Sequence, residues 1–497
     1  MLWRGSRAAG VRDRELAHAV SGSPRRLDAI PSTGMLRRLA LFILLVVPGL
    51  AHANGRAPNA STINFRQGHQ QDIAAGMTFG MVISHDNGAT WHWVCEKAVL
   101  YGGMFDPDYV YAPSGALFAT TFDGSLVNRD GCTFAPTTFQ KKFFSSITQS
   151  STGALFMAAA QVDDPGAGLT ADAKIYKSTD DGVTFPTSAT AGMNGDWYNS
   201  LEVAPSDPTR VYLSGYRLPG GVRVFQLYRS DNGGTSFQAI TANTFTTTNN
   251  STIDIVGIKA NQPNTVFARV SLQSTSIGDA IYRSDNAGTS WTKIFEKNDE
   301  ISFIARANGD LVAATRNSGT FVSRGPSNTT WETVANPPHI NCLAENAAGE
   351  LWACTQNFGA MQTPSDDAGI MKTTDLVTWT KVLRYQDITG PVDCGAGTRQ
   401  HDQCVYDCPD TTYNSNPASC PNLSPTAWCA LKNQLGITST VIVCPAVGDG
   451  APDDIGDVVK KPPPGCCEAG DTSGGPAALA LSLAIGTVVL RRRRKVT

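Results

Sequence analysis

The sequence carries almost no net charge: 40 lysines and arginines stand against 43 aspartates and glutamates, a formal charge of −3. Without a basic excess there is no electrostatic footprint for a nucleic acid. Histidine is scarce, with 7 scattered residues, of which His18 and His52 lie in segments expected to be removed. No Gly-x-Ser-x-Gly elbow offers a serine nucleophile. The glycines at 76 and 80 and the run Pro219-Gly220-Gly221 lack the Gly-Lys-Ser/Thr ending of a phosphate loop. The 12 cysteines make no zinc spacing: Cys404 and Cys408 form a loose pair that no second Cys or His pair completes. Between residues 60 and 385 no amphipathic helical stretch competes with short β-branched and aromatic runs. No metal or other cofactor is therefore expected, and no catalytic residue can be named from local motifs.

What is present begins with the ends. Residues 1–34 are basic without a sustained apolar period and read as a misassigned extension. Met35 opens a better start: Arg37 and Arg38 are followed by an apolar run from Leu39 to Leu50 and by Ala51-His52-Ala53, so 35–53 reads as a signal peptide. At the other end Cys466 and Cys467 precede an apolar stretch, 476–490, closed by Arg491, Arg492, Arg493 and Arg494. As a helix that stretch would span roughly 22 Å, short of the ~30 Å hydrocarbon core, with its basic end held on the cytoplasmic side. Cysteine, short apolar segment and arginine cluster, in that order, resemble the MYXO-CTERM sorting tail of myxobacterial exported proteins. The resemblance implies a removable signal at 466–497, a membrane protease as partner, and delivery to the cell surface or outer membrane, with membrane anchoring through the tail before processing. A plain tail anchor is the alternative. Twelve cysteines agree with an oxidising compartment.

Between these ends one phrase recurs. Ser84, Asp86, Gly88, Thr90 and Trp91 set a pattern of Ser, Asp two on, Gly four on, Thr six on and an aromatic seven on. It returns well kept at Ser178, Asp180, Gly182, Thr184 and Phe185; at Ser230, Gly234 and Phe237; and at Ser284, Gly288 and Trp291, the last two with Asn in the Asp slot. A damaged copy runs from Asn128 to Phe134, a sixth keeps little besides Thr330-Trp331, and a seventh, with Asp375 and Trp379, is one residue short. The closing aromatics fall 40 to 54 residues apart, the length of one four-stranded propeller blade. In each copy the hydroxyl and carboxylate can satisfy backbone N–H groups inside a tight turn, so the motif is explained structurally without a ligand.

These copies resemble the Asp-box (BNR) propellers, a group that includes sialidases, sortilin-type receptors, xyloglucan-cleaving glycosidases and photosynthetic assembly factors. The resemblance implies an all-β fold: a single β-propeller over 60–390 with seven four-stranded blades, six and eight remaining open because two copies are worn. It implies no one activity, since those families do unrelated things. Cys95 and Cys132 belong to adjacent repeats and are paired on that ground; Cys342 and Cys354 flank a hairpin about Ala348 and are paired too. Cys394, Cys404, Cys408, Cys420, Cys429 and Cys444 crowd into a module at 391–445, expected to be stapled by three internal bridges and to carry a short helix at 427–435. Residues 446–465, rich in Pro, Gly and Asp, read as a linker.

Chemistry is harder to place. Tyr216-Arg217-Leu218-Pro219 is similar to the arginine motif of sialidases, which makes Tyr216 and Arg217 ligand-binding candidates; as strand-end residues they would leave Arg217 solvated. Glycosidases use two carboxylates at ~5–9 Å; Asp106, Asp108, Asp123, Asp163, Asp164, Glu202 and Glu300 are available, and nothing in the sequence joins any two. The favoured expectation is an exported binding or envelope-interaction protein, not an enzyme, that recognises a carbohydrate or protein surface at one propeller face. A glycoside hydrolase on the same face is the alternative.

Overall fold

The computed structural model describes residues 57–101, 106–121, 124–140, 142–160, 173–193, 195–240, 242, 244–272, 278–359, 363–406 and 426–444. The expected leader, linker and tail lie outside them, as do Cys408, Cys420, Asp123, Asp163 and Asp164. Among the described residues no helix is long and apolar enough to cross a membrane.

Seven four-stranded antiparallel sheets follow one another along the chain, each built from consecutive strands in the order first to fourth. Blade 1 runs Ala60–Arg66, His69–Met77, Gly80–Ser84 and His92–Val94; blade 2 is Tyr109–Tyr111, Leu117–Thr121, Gly124–Asn128 and Phe134–Gln140. Blade 3 is Phe144–Gln149, Leu155–Ala159, Ile175–Ser178 and Thr187–Ala189; blade 4 is Trp197–Ala204, Asp207–Arg217, Val224–Ser230 and Gln238–Ile240. Blade 5 is Ile253–Lys259, Gln262–Ser271, Asp279–Ser284 and Thr292–Lys297; blade 6 is Ile301–Ala305, Leu311–Thr315, Thr320–Ser323 and Glu332–Thr333; blade 7 is Cys342–Glu345, Leu351–Cys354, Ile370–Thr373 and Thr380–Leu383. First strands of successive blades neighbour one another right round, blade 7 meeting blade 1. The fold is therefore all-β, a seven-bladed propeller, which removes the six- and eight-bladed alternatives.

Burial follows position in the blade. Second strands such as Leu155–Ala159 and Leu311–Thr315 are wholly buried. They read as unbroken apolar runs with many alanines because a neighbouring blade covers each face. Outermost strands such as Glu332–Thr333 are exposed.

The recurring turns join third to fourth strands. In the first, the Ser84 hydroxyl accepts from the Gly88 N–H (2.9 Å) and donates to Asp86 (2.7 Å), Asp86 accepts from the Thr90 N–H (2.9 Å) and hydroxyl (2.6 Å), and the Trp91 indole donates to the Gly88 carbonyl (3.0 Å). Ser178 and Asp180 repeat the set with Gly182 and Thr184. Asn232 and Asn286 take the Asp place after Ser230 and Ser284. In the shortened seventh copy Leu376 stands at φ +68°, where five copies have glycine and the sixth has Asn328 at φ +47°, and the Trp379 indole still reaches its carbonyl (3.1 Å). The four well-kept turns also touch the blade before them. A Cβ on Gly182, at φ +69°, would lie 2.2 Å from the Phe118 ring of blade 2; one on Gly88 would meet Val382 and Trp352 of blade 7. The motif thus fastens blades to each other, and the Gly88 turn applies the same fastening across the seam between first and last blades.

That seam shares no interleaved strand. It is closed by the C-terminal segment: Gly390–Pro391 pairs in parallel with His92–Val94 as a fifth strand of blade 1. A helix α1, Thr426–Leu435, follows, at the place expected for a short helix, and sets Trp428 5.9 Å from Trp93. The expected Cys95–Cys132 pair is not formed. Cys95 bonds Cys404 and Cys132 bonds Cys394, because the returning segment, and not the adjacent blade, lies against both. The module is accordingly not stapled by three internal bridges: Cys429–Cys444 is internal, whereas Cys394 and Cys404 are spent on the propeller. Cys342–Cys354 joins the first two strands of blade 7 as expected, at paired register positions.

Candidate functional site

Inner strands of a propeller face an axial channel, and here all seven contribute to a cavity of about 270 Å³. It is lined by Ser61, Thr62, Ile63 and Asn64 of blade 1, Asp108 and Tyr109 at blade 2, Ser146 and Ile147 of blade 3, Ser200 and Glu202 of blade 4, Ile255 and Val256 of blade 5, Ser302 and Phe303 of blade 6, and Asn341, Cys342 and Leu343 of blade 7. Arg269, from the second strand of blade 5, completes it. Hydroxyls and amides dominate the wall.

Several of these groups tie blades together around the axis. The Ser200 hydroxyl meets that of Ser214 (2.7 Å) and accepts from the Ile255 N–H (2.6 Å), Ser302 donates to the Asn341 carbonyl (2.6 Å), and the Asn341 amide donates to Asn59 (3.1 Å). Arg269, 7 % exposed, contacts Asp254 at 3.0 Å and Asp279 at 3.9 Å and donates to the Ile301 carbonyl (3.1 Å). Burial works against its charge, but Asp279, Asp254 and Glu300 outweigh burial and raise its pKa, so it is a fixed cation. The Ser61 hydroxyl differs from its neighbours: the residue is 3 % exposed and the oxygen has no hydrogen-bond partner among the described residues.

The ring has two unlike faces. Hairpins from first to second strand and the recurring turns are short and fall on one face. Second and fourth strands end, and third and first strands begin, on the other, and the chain between those ends is longest at 160–174, 272–278, 355–369, 95–108 and 241–252. Variable loops over a constant scaffold mark the face on which recognition is built.

The sequence candidates distribute unevenly over this geometry. Asp108 and Glu202 line the channel, and Glu300 acts electrostatically on Arg269 beside it. Asp106 is buried. Tyr216 and Arg217 end the second strand of blade 4 and do not line the channel. Tyr216 is fully buried and stacked on Trp197 with ring centroids 6.3 Å apart. Arg217 is not solvated as expected: it forks onto Asp196 at 2.8 and 3.1 Å, whose side chain is 0 % exposed. That hydrogen-bonded carboxylate, against a smaller effect of burial, raises the Arg217 pKa. Among the described residues Arg269 is the one arginine lining the cavity, so the cavity itself does not present the arginine cluster that sialidase chemistry requires. The turn carboxylates serve their turns. Partial burial of Asp86 acts to raise its pKa, yet hydrogen bonds from Thr90, Ser84 and Ala89 hold it at about 2. Thr184 and Ser178 hold Asp180 at about 2, as Thr378 and Val377 hold Asp375.

Ser61, Arg269, Asp254 and Asn341 were not singled out from sequence. The signal was there in weak form: a hydroxyl, amide or carboxylate interrupts the apolar run at the first strand of each repeat.

No protein-family model and no curated protein matches the chain. Among solved structures, an ancestral GH74 enzyme is 14 % identical with a TM-score of 0.47, over 67 % of this chain and 47 % of that one. The extracellular domain of a one-component system from B. thetaiotaomicron is 13 % identical with a TM-score of 0.41, over 61 % and 38 %. YCF48 bound to D1 peptide is 15 % identical with a TM-score of 0.31, over 49 % and 68 %. The chain spans less than half the length of the first two. At such identities and scores these likenesses carry no argument about activity, and the architecture rests on the strands themselves.

Proposed function

We propose that this protein is an exported, surface-sorted propeller of the Asp-box type that binds a ligand at the long-loop mouth of its axial channel. The observation that carries this reading is the channel wall: polar side chains from all seven blades converge on one cavity, beneath the face that holds the long connections. The four disulfides among the described residues, two of them joining residues 262 and 309 positions apart, suit an oxidising, extracytoplasmic setting. The proposed route is the signal at 35–53 followed by handling of the 466–497 tail at the membrane.

A second reading, glycoside hydrolysis, is favoured by one observation, the presence of Asp108 and Glu202 in the same wall. Screening the ectodomain, residues 54–465, on glycan arrays and on fluorogenic glycosides separates the two. Retention on the array without turnover supports binding; turnover abolished by Glu202→Gln or Asp108→Asn establishes the hydrolase; silence in both assays refutes a carbohydrate ligand and favours a structural role in the envelope. Deleting 466–497 is expected to release the protein into the medium, and unchanged surface retention would contradict the sorting route.

A further inference from the structure

We propose that the face of the short hairpins carries a second site, between blades 5 and 6, which takes the carboxylate of an acidic sugar. A cavity of about 320 Å³ opens there. Two first-to-second-strand hairpins, 259–262 and 306–309, and the worn sixth turn form its wall. Lys259 and Arg306 line it, 6 % and 5 % exposed. Each keeps a donor unused. The Lys259 ammonium has three N–H groups and donates to the Pro326 carbonyl (3.1 Å) and to the side-chain oxygen of Asn328 (2.9 Å). Arg306 donates through Nε to Glu345 (2.8 Å) and through Nη2 to the Gly349 carbonyl (2.7 Å); among the described residues its Nη1 has no hydrogen-bond partner. No carboxylate lines the cavity among the described residues. Those nearby are engaged, Glu345 with Arg306 and the Ala307 N–H, and Asp285 with Arg283 and Thr265. Asp310, bonded to the Asn308 amide (3.0 Å), opposes an incoming anion from beyond the wall.

The ring does not need this lysine. Blade 4 has Ala204 at the matching place, paired with Asp207 as Lys259 is paired with Gln262. Clamps onto the turn of the next blade come from third strands instead: Lys177 on the Gly233 carbonyl, Arg229 on that of Ala287 and Arg283 on that of Ser327. The sixth turn is therefore already held by Arg283. A buried ammonium whose partners are neutral oxygens is costly until an anion completes its shell. Burial, with Arg283 acting in the same direction, lowers the Lys259 pKa against the pull of Asp285. The unused donors, and not the charge of the face as a whole, select the anion. Glu345 already offsets Arg306, so the charge left to match is the single one of Lys259, which suits a carboxylate better than a doubly charged phosphate. The Asn261, Gln262 and Asn308 amides in the same wall supply donors and acceptors for hydroxyls. The volume falls at the small end of ligand pockets, roughly 300–1,000 Å³. Two sources share this chemistry: a free sugar acid, and the acidic end of a glycan.

Calorimetric titration of the oxidised full-length protein with glucuronate, glucose, sulfate and a disaccharide ending in glucuronate tests the proposal. Glucuronate should bind at least tenfold tighter than glucose, and raising the salt should weaken it. A disaccharide bound more tightly than the monosaccharide identifies a glycan end, and one bound no better identifies a free sugar acid. Lys259→Gln removes the charge and keeps an N–H donor for the Pro326 carbonyl; it should weaken glucuronate about tenfold. Asn261→Asp sets a negative charge on an exposed hairpin tip and should weaken it by a similar factor. If Lys259→Gln fails to fold, Asn261→Asp decides alone. Equal affinity for glucose, indifference to both substitutions, or silence of every anion overturns the site. Sulfate bound as tightly as glucuronate overturns its assignment to a sugar. None of these failures touches the channel reading, because the channel mouth lies on the other face and is probed with neutral glycans on the array.

Discussion

Removing the two bridges that hold the C-terminal segment should destabilise the ring far more than removing the hairpin bridge. Cys95 and Cys404 are 309 residues apart, Cys132 and Cys394 are 262, and Cys342 and Cys354 are 12. In the chain-entropy picture the first bridge restricts the unfolded chain by about 6 kcal/mol and the hairpin bridge by about 3 kcal/mol. The second long bridge is not independent. Once Cys95 holds Cys404, it closes a loop of roughly 50 residues, through the chain from 95 to 132 and from 394 to 404, worth about 4 kcal/mol. Residual structure in the unfolded chain lowers all three figures, but their order stands. The pair together, about 10 kcal/mol, falls within the ~5–15 kcal/mol that holds a whole domain folded. The quadruple variant C95S/C132S/C394S/C404S should therefore open at the seam, read as faster proteolysis and a much lower calorimetric transition. The variant C342S/C354S should lose only about 3 kcal/mol and stay resistant. Equal losses in the two variants would refute the argument from loop length and place the stabilisation in local packing.

Two further outcomes test the turns. Gly182→Ala adds a Cβ 2.2 Å from Phe118 at a positive φ and should cost about 2–4 kcal/mol in urea unfolding, whereas Gly131→Ala, at φ +82° with nothing within 4 Å, should cost only about 1 kcal/mol. Similar losses would show that the approach to the neighbouring blade is immaterial. Asp86, Asp180 and Asp375 have folded pKa values of about 2 against an ordinary 3.8. Their contribution is complete above about pH 4 and is lost as pH falls through about 2. The triple variant D86N/D180N/D375N, which installs the residue found at Asn232 and Asn286, should flatten the acid limb of the stability profile; an unchanged limb would discount these carboxylates.

The propeller was legible because its signal is local. A hydroxyl, a carboxylate or amide and a glycine within five residues determine a turn, and four such turns with three worn copies at blade spacing point to seven blades. Even the missing residue at Asp375–Trp379 had a local remedy, Leu376 at positive φ. The partners of Cys95 and Cys132 were not legible, since they depend on where the chain returns some three hundred residues later. Arg217 misled for the same reason: Asp196, its partner, sits just before the neighbouring strand, Trp197–Ala204, and carries no motif. The channel wall stayed hidden because its members are single hydroxyls and amides, one or two per repeat, unremarkable until the ring brings them to one axis.

No blade borrows a strand from another, and chain entry and exit meet at the same seam. Each blade is thus a self-contained unit of genetic change. A duplication or loss of one repeat would leave every remaining sheet complete and would have to be reconciled only in ring geometry and at the clasp. The arrangement equally marks the links between blades as natural places for new termini, with the seam, once joined by a short linker, becoming one more ordinary boundary.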